Sequence, residues 1–268
     1  AGNESPISTQ CGLILDQEAP VSVFTAPSDG SLWNKAIPLA GNTLDDYGVA
    51  AANLYLGDED TDTWTLITTL VSPTITALWN WDYVFTPPSE GTFDIKATAV
   101  DAAGNIESTA YLYDITYDIT APNVPTDLGF NVPGGNYWEP RPNVELACGG
   151  FTNANQVSHH WSDESASGAV QYMRQWQYPG SSVWQGAELW TTPYSNYRNL
   201  GTSIGVEGLW HVRVLARDAA GNWSEPSIGC AFTYDRTAPV VDITSHEDGG
   251  AAVNGVIDIT GRVEDTNL

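Results

Sequence analysis

The pentapeptide Asp-Ala-Ala-Gly-Asn occurs twice, at Asp101–Asn105 and Asp218–Asn222, and the chain itself opens on Ala-Gly-Asn. Each Ala-Gly-Asn begins a longer block: AGNESPISTQCGLILDQEAP (1–20), AGNIESTAYLYDITYDITAP (103–122) and AGNWSEPSIGCAFTYDRTAP (220–239). Every block holds a Ser/Glu-bearing stretch, an alternating run, an Asp and a closing Ala-Pro. The Ala-Pro elements stand roughly 100 to 120 residues apart, a period that restricts the chain to tandem copies of one small domain. The beginning of the unit repeats too. SVFTAPSDGSLWNKAIPLAGNTLDD (22–46) aligns with VDITSHEDGGAAVNGVIDITGRVED (241–265), matching Asp29-Gly30 to Asp248-Gly249, Asn34 to Asn254 and Gly41 to Gly261. The expected organisation is the last strand of one domain (1–18), two whole domains (19–120 and 121–237), and the first strands of another (238–268).

Periodicity assigns the fold class. TFDIKATAV places Phe93, Ile95, Ala97 and Ala99 on one face, and LWHVRVLAR does the same with Trp210, Val212, Val214 and Ala216. Their neighbours His211, Arg213 and Arg217 fall on the opposite face, the period-2 signature of an antiparallel strand with one wet side. ALWNWDYVF carries Trp79, Trp81, Tyr83 and Phe85 in phase. No stretch has helical spacing, whereas 25 Gly and 16 Pro punctuate the chain throughout. The repeat length with short strands and turn signals predicts an all-β chain of antiparallel, immunoglobulin-like sandwiches arranged end to end.

In Asp-Ala-Ala-Gly-Asn the Asp suits the first position of a turn, where its carboxylate accepts backbone N–H groups, and the Gly supplies the left-handed residue. This is a recipe for the last hairpin of a sandwich, and turn chemistry alone accounts for it. In an immunoglobulin-like topology that hairpin shares a pole with the incoming linker and the loop after the second strand. The first whole domain then gathers Asp101, Asn105, Asp45, Asp46 and the linker residues Asp16 and Glu18. The second gathers Asp218, Asn222, Asp163, Glu164 and linker residue Asp118. The last segment contributes Glu264, Asp265 and linker residue Asp235. Carboxylates in that number either stay solvated or hold a cation, and hard oxygen ligands suit Ca²⁺. Both readings stand on the sequence. GDEDTD (57–62) alternates Asp58, Asp60 and Asp62, but Thr63 and Thr69 replace the Gly and Glu of a calcium loop, so a polar hairpin tip is expected.

The balance of 33 acidic against 9 basic residues, net charge −24, repels nucleic acid and anionic membranes and attracts cations. No apolar run approaches 18 residues, so no membrane insertion is expected in this segment. Cys11 and Cys230 occupy the same place in the repeat. Cys148 lies upstream of Cys230 in the same domain, and a Cys148–Cys230 disulfide is the natural pairing in an exported protein, with Cys11 bonded outside the segment. Two buried thiols are the competing reading. No catalytic motif is present, no cofactor is required, and the four histidines do not converge on a metal, so an enzyme is not expected. Seven of the eleven tryptophans fall in the second whole domain. Trp161 and Trp210 read as core, whereas Trp184, Trp190, Tyr194 and Tyr197 lie in loop-like sequence, where an exposed ligand platform competes with edge packing.

The Ala-Gly-Asn and Thr-Ala-Pro punctuation resembles bacterial immunoglobulin-like and fibronectin type III-like repeats of large cell-surface proteins. CGGFTNANQVSHHWSDES (148–165) with HVRVLARDAAGNWSEPSIGCAFTYDRTAP (211–239) is similar to Cys-bearing modules of surface proteins from candidate-phyla-radiation bacteria. The resemblance implies an extracellular, stacked array with fibronectin type III-like character in 121–237 and calcium at some junctions. It supplies no catalytic residues. The expected role is a structural or spacer segment of a stalk, fibre or surface layer, with neighbouring repeats, other copies, or a cell-surface glycan or protein as partners. Two alternatives remain: an adhesin or carbohydrate-binding module using the aromatic insert in 171–197, and a non-catalytic appendage of a secreted hydrolase.

Overall fold

The computed structural model describes residues 12, 14–58, 61–132, 144–154, 156–162, 168–191, 198–199, 206–246, 249–250 and 252–265. The chain is all-β among these residues and divides into two compact units, Ala1–Ile119 and Thr120–Leu268. No helix is long and apolar enough to cross a membrane among the described residues.

The first unit contains β1 (Val21–Ala26), β2 (Leu32–Trp33), β3 (Ile37–Asp58), β4 (Thr63–Phe85), β5 (Gly91–Asp101) and β6 (Ala110–Tyr117). They form one six-stranded sheet in the order β1-β3-β5-β6-β2, with β4 also on β3. The sheet is curled because β3 changes partners along its length. Its first half pairs with β1 (Val21↔Leu44) and the end of β4 (Ile37↔Phe85), and its second half pairs with β5 (Leu54↔Ala97) and the start of β4 (Gly57↔Trp64). The register breaks between Leu44 and Val49, where Asp45 and Gly48 lie. The curl brings two apolar faces together: Ile37, Leu39, Trp81 and Phe85 meet Ala52, Leu54, Ile95, Ala97, Leu112 and Ile115 in one core. Alternation along β5 is as the sequence predicts, with Ile95, Ala97 and Ala99 fully buried. The indole N–H of the buried Trp81 donates to Thr43 Oγ1 at 3.1 Å, so this core tryptophan carries no unpaired polar atom.

The second unit contains β7 (Thr126–Val132), β8 (Val144–Leu146), β9 (Phe151–Thr152), β10 (Gln156–Ser162), β11 (Ala169–Gln177), β12 (Gln185–Trp190), β13 (Arg198–Asn199), β14 (Gly208–Asp218) and β15 (Cys230–Tyr234). One sheet runs β13-β10-β7-β8 and the other β12-β11-β14-β15-β9. Their facing sides share a core of Phe130, Val157, Trp176, Trp210, Val212, Phe232 and Tyr234. Trp161, Tyr172, Val214 and Ala216 form an adjoining cluster. Cys148 and Cys230 are joined by a disulfide across 82 positions of sequence, tying the segment after β8 to the first residue of β15. The remaining pair, β16 (Val240–Ile243) and β17 (Gly261–Glu264), forms a two-stranded antiparallel ladder of its own.

The two units repeat at the level of hydrogen bonds. Short β2 runs parallel to β6 (Trp33↔Tyr117), as β9 does to β15 (Thr152↔Tyr234). Asp118 N–H then donates to Trp33 O at 2.9 Å and Asp235 N–H to Thr152 O at 3.0 Å.

Candidate functional site

The repeated pentapeptide folds into the same clasp in both units. In the first, Asp101 Oδ1 accepts the N–H groups of Gly104 (2.6 Å) and Asn105 (2.8 Å), and Oδ2 accepts the Asn105 side-chain amide (2.7 Å). In the second, Asp218 Oδ1 accepts Gly221 (2.7 Å) and Asn222 (2.8 Å), and Oδ2 accepts the Asn222 amide (2.8 Å). The backbone N–H of each Asp returns to its Asn carbonyl at 3.1 Å. Gly104 and Gly221 sit at φ +94° and +101°, a region closed to most side chains, which explains why Gly stands there in both copies. The Asn amide has a second acceptor in the incoming chain: Asp16 O for Asn105 and Thr120 O for Asn222, each at 3.3 Å. The clasp therefore closes a hairpin and holds the chain segment that enters its unit.

Three of the carboxylates expected at the first clasp converge. Asp16, Asp45 and Asp101 each offer an oxygen, and these oxygens lie within 4.8 Å of one another. Asp45 is positioned by its own turn, with Oδ1 accepting Tyr47 N–H (2.9 Å) and Gly48 N–H (2.7 Å). Gly48 O in turn accepts Ala102 N–H at 2.9 Å, so the β3 bend and the clasp are bonded directly. Asp101 is 2% exposed and Asp45 8%. Asp16 Oδ2 is buried without a hydrogen-bond partner. Burial alone would raise the Asp101 carboxyl, but the Asn105 amide and the N–H groups of Asn105, Gly104 and Ala103 outweigh it and hold the group below its usual value. Asp101 is thus kept as an anion beside two more carboxylates. Hard oxygen donors at this spacing can coordinate a cation, which would supply the missing partner of Asp16 Oδ2.

The other expected acids are placed differently. Glu18 is exposed and its N–H donates to Asp16 Oδ1 at 3.2 Å; Asp46 is exposed beside Asp45. Asp218 and Asn222 form their clasp, while Asp163 and Glu164 lie outside the described residues. Asp118 follows β6, Asp235 caps Thr237 N–H at 2.8 Å, and Asp265 follows β17. Among the described residues these join no cluster of three potential ligands. Of the expected aromatic platform, Trp184 lies 4.2 Å from the Arg213 guanidinium, and half-buried Trp190 packs against the Trp161–Tyr172 cluster with Arg174 over its ring. Tyr194, Tyr197 and Cys11 lie outside the described residues.

Two further repeated devices are not among the residues expected from the sequence. Glu90 and Glu207 each stand eleven positions before the clasp Asp and are followed by Gly, a spacing that was legible in the repeat. Glu90 Oε1 accepts Ile119 N–H at 2.6 Å; Glu207 accepts Arg236 N–H (2.9 Å) and the Thr237 hydroxyl (2.6 Å). Each carboxylate therefore latches the chain leaving its unit. The Ser/Glu stretch after each clasp supplies buried acceptors: Glu107 takes Ala99 N–H (3.0 Å) and Ser22 N–H (2.5 Å), and Ser224 Oγ takes Ala216 N–H (2.9 Å).

No family model matches the chain, and a search of curated proteins returned no match. Among solved structures, the chain is similar to a tetra-tandem repeat in the extending region of a large adhesion protein, at 15% identity and TM-score 0.29. That alignment covers 93% of this chain and 63% of the other, so the chain spans less than two thirds of that structure. It is also similar to a 1.5-MDa bacterial ice-binding adhesin (14% identity, 86% and 70% covered, TM-score 0.36) and to a beta-1,2-glucanase from Parabacteroides distasonis (14%, 82% and 37%, TM-score 0.26). At these scores the likenesses carry no functional argument. What stands from the structure itself is that the chain is all-β among the described residues.

Proposed function

We propose that the chain is a repeat segment of a large extracellular surface protein of adhesin type, its first unit an immunoglobulin-like repeat closed as a single curled sheet and its second a two-sheet, fibronectin type III-like sandwich. The observation that carries this reading is the duplicated clasp: the same five residues make the same hydrogen bonds twice and grip the incoming chain in each unit. A catalytic site is ordinarily built once, whereas a device that fixes how chain enters a fold is useful in every copy. The disulfide supports an exported location, since such bonds persist in oxidising compartments. In this reading the chain is not an enzyme, and its neighbouring repeats are its principal partners. Calcium at Asp16, Asp45 and Asp101 stiffens the first clasp by neutralising three converging carboxylates.

Single-molecule stretching of the oxidised chain tests the reading. Two separate unfolding steps are expected, one per unit. Reduction should lengthen the second unit's step by the 82 positions that the disulfide withholds, roughly 280 Å at full extension. Featureless extension at low force would contradict a role as a stretched repeat segment.

A further inference from the structure

The aromatic platform expected from the sequence lies in the second unit, and the first unit carries an aromatic row of its own. On the outward side of its sheet, Tyr55 of β3 stands opposite Lys96 of β5, and Lys96 stands opposite Tyr111 of β6. Trp64 reaches this row from β4, with its ring 5.8 Å from that of Tyr111 and tilted by 49°. Tyr111 and Tyr113 stack at 5.5 Å and 17°. The Lys96 ammonium lies 4.3 Å from the Trp64 ring and 5.4 Å from the Tyr55 ring. All five side chains remain partly exposed, and Leu66, opposite Tyr55, is 53% exposed. The indole is fixed by its N–H donating to Asp62 Oδ1 at 3.0 Å, and Asp94 beside Lys96 accepts Asp114 N–H at 2.9 Å.

We propose that this face is a binding platform for a neutral glycan chain. The C–H faces of pyranose rings pack on aromatic rings, and their hydroxyls find tyrosine O–H groups, the Lys96 ammonium and carboxylates at the rim. Charge selects within that class. The face has one cation with Asp62 and Asp94 at its edge, in a chain of net charge −24, so uronate, sulfated and nucleic-acid polymers are repelled. The rings lie in a row across neighbouring strands on the outward side of one sheet, not facing one another across an aromatic-lined groove of the kind that seats proline-rich peptides. The proposal is independent of the repeat-segment reading.

Affinity electrophoresis of the whole chain through gels containing soluble β-glucan, mannan, arabinoxylan, dextran or polygalacturonate tests it. Retardation is expected with at least one of the four neutral polymers and not with polygalacturonate. Trp64→Ala and Tyr111→Ala should each weaken that retardation about tenfold or more, and Trp64→Phe, which keeps a ring, less than about threefold. Circular dichroism of each variant checks folding; if Trp64→Ala unfolds, Tyr111→Ala and Trp64→Phe decide. No retardation by any neutral polymer, retardation unchanged in folded variants, or retardation by polygalacturonate alone would overturn the proposal.

Discussion

The Asp101 carboxylate accepts N–H groups through both oxygens and remains ionised in a nearly buried position, so its protonation couples directly to folding. Its folded value lies below the unfolded one, near 3.9, so its stabilisation is complete above about pH 5 and is lost as pH falls through the folded value. With chelator present, a series of melts from neutral to acid pH should show the first unit losing stability over that interval. Asp101→Asn should flatten the loss while costing about 1–3 kcal/mol at neutral pH. Glu107 is the other residue of consequence: Glu107→Ala strands the N–H groups of Ala99 and Ser22, and urea unfolding should show a loss of about 2–3 kcal/mol. Gly221→Ala forces a side chain onto φ +101° and should cost about 1–2 kcal/mol in the same assay. The turn chemistry of Asp101, Gly104 and their counterparts was legible because backbone conformation depends on residue type over a few positions. Glu107 was not, since its partners lie in β5 and β1, and only the folded sheet brings them together.

Strands with one buried face were the most legible elements. β5 and β14 alternate as read because the apolar side has a single destination. β3 was harder to foresee: its 22 residues continue through the Asp45–Gly48 bend, where Gly48 takes φ +116°, because β4 stays paired on both sides of the bend while the other edge passes from β1 to β5. The aromatic face of the first unit was also hidden. Tyr55, Trp64, Lys96 and Tyr111 come from four strands, and their row exists only through inter-strand register. The disulfide joins two elements of the second unit, and the Cys148→Ser, Cys230→Ser double variant should be destabilised by about 2–5 kcal/mol, a fall in Tm of roughly 5–15 °C. Calorimetry under oxidising conditions checks this, and the first unit's transition should not move.

Across the full chain, the period of the repeat is visible in the amino-acid sequence alone, and each unit carries it out with the same clasp, the same parallel strand pair and the same carboxylate latch. The convergence of Asp16, Asp45 and Asp101 was foreseeable only by assuming a topology, because these residues span 85 positions of sequence. In the proposed repeat segment, calcium completes this first clasp and makes it rigid. Thermal unfolding of the chain with calcium and with chelator is the decisive measurement. Calcium at a hundredfold excess over its dissociation constant adds about 2.7 kcal/mol to the unit that binds it, raising that unit's transition by roughly 10 °C. The gain should vanish in Asp16→Asn with Asp45→Asn. A first-unit transition that is the same in calcium and chelator would contradict a calcium-completed clasp.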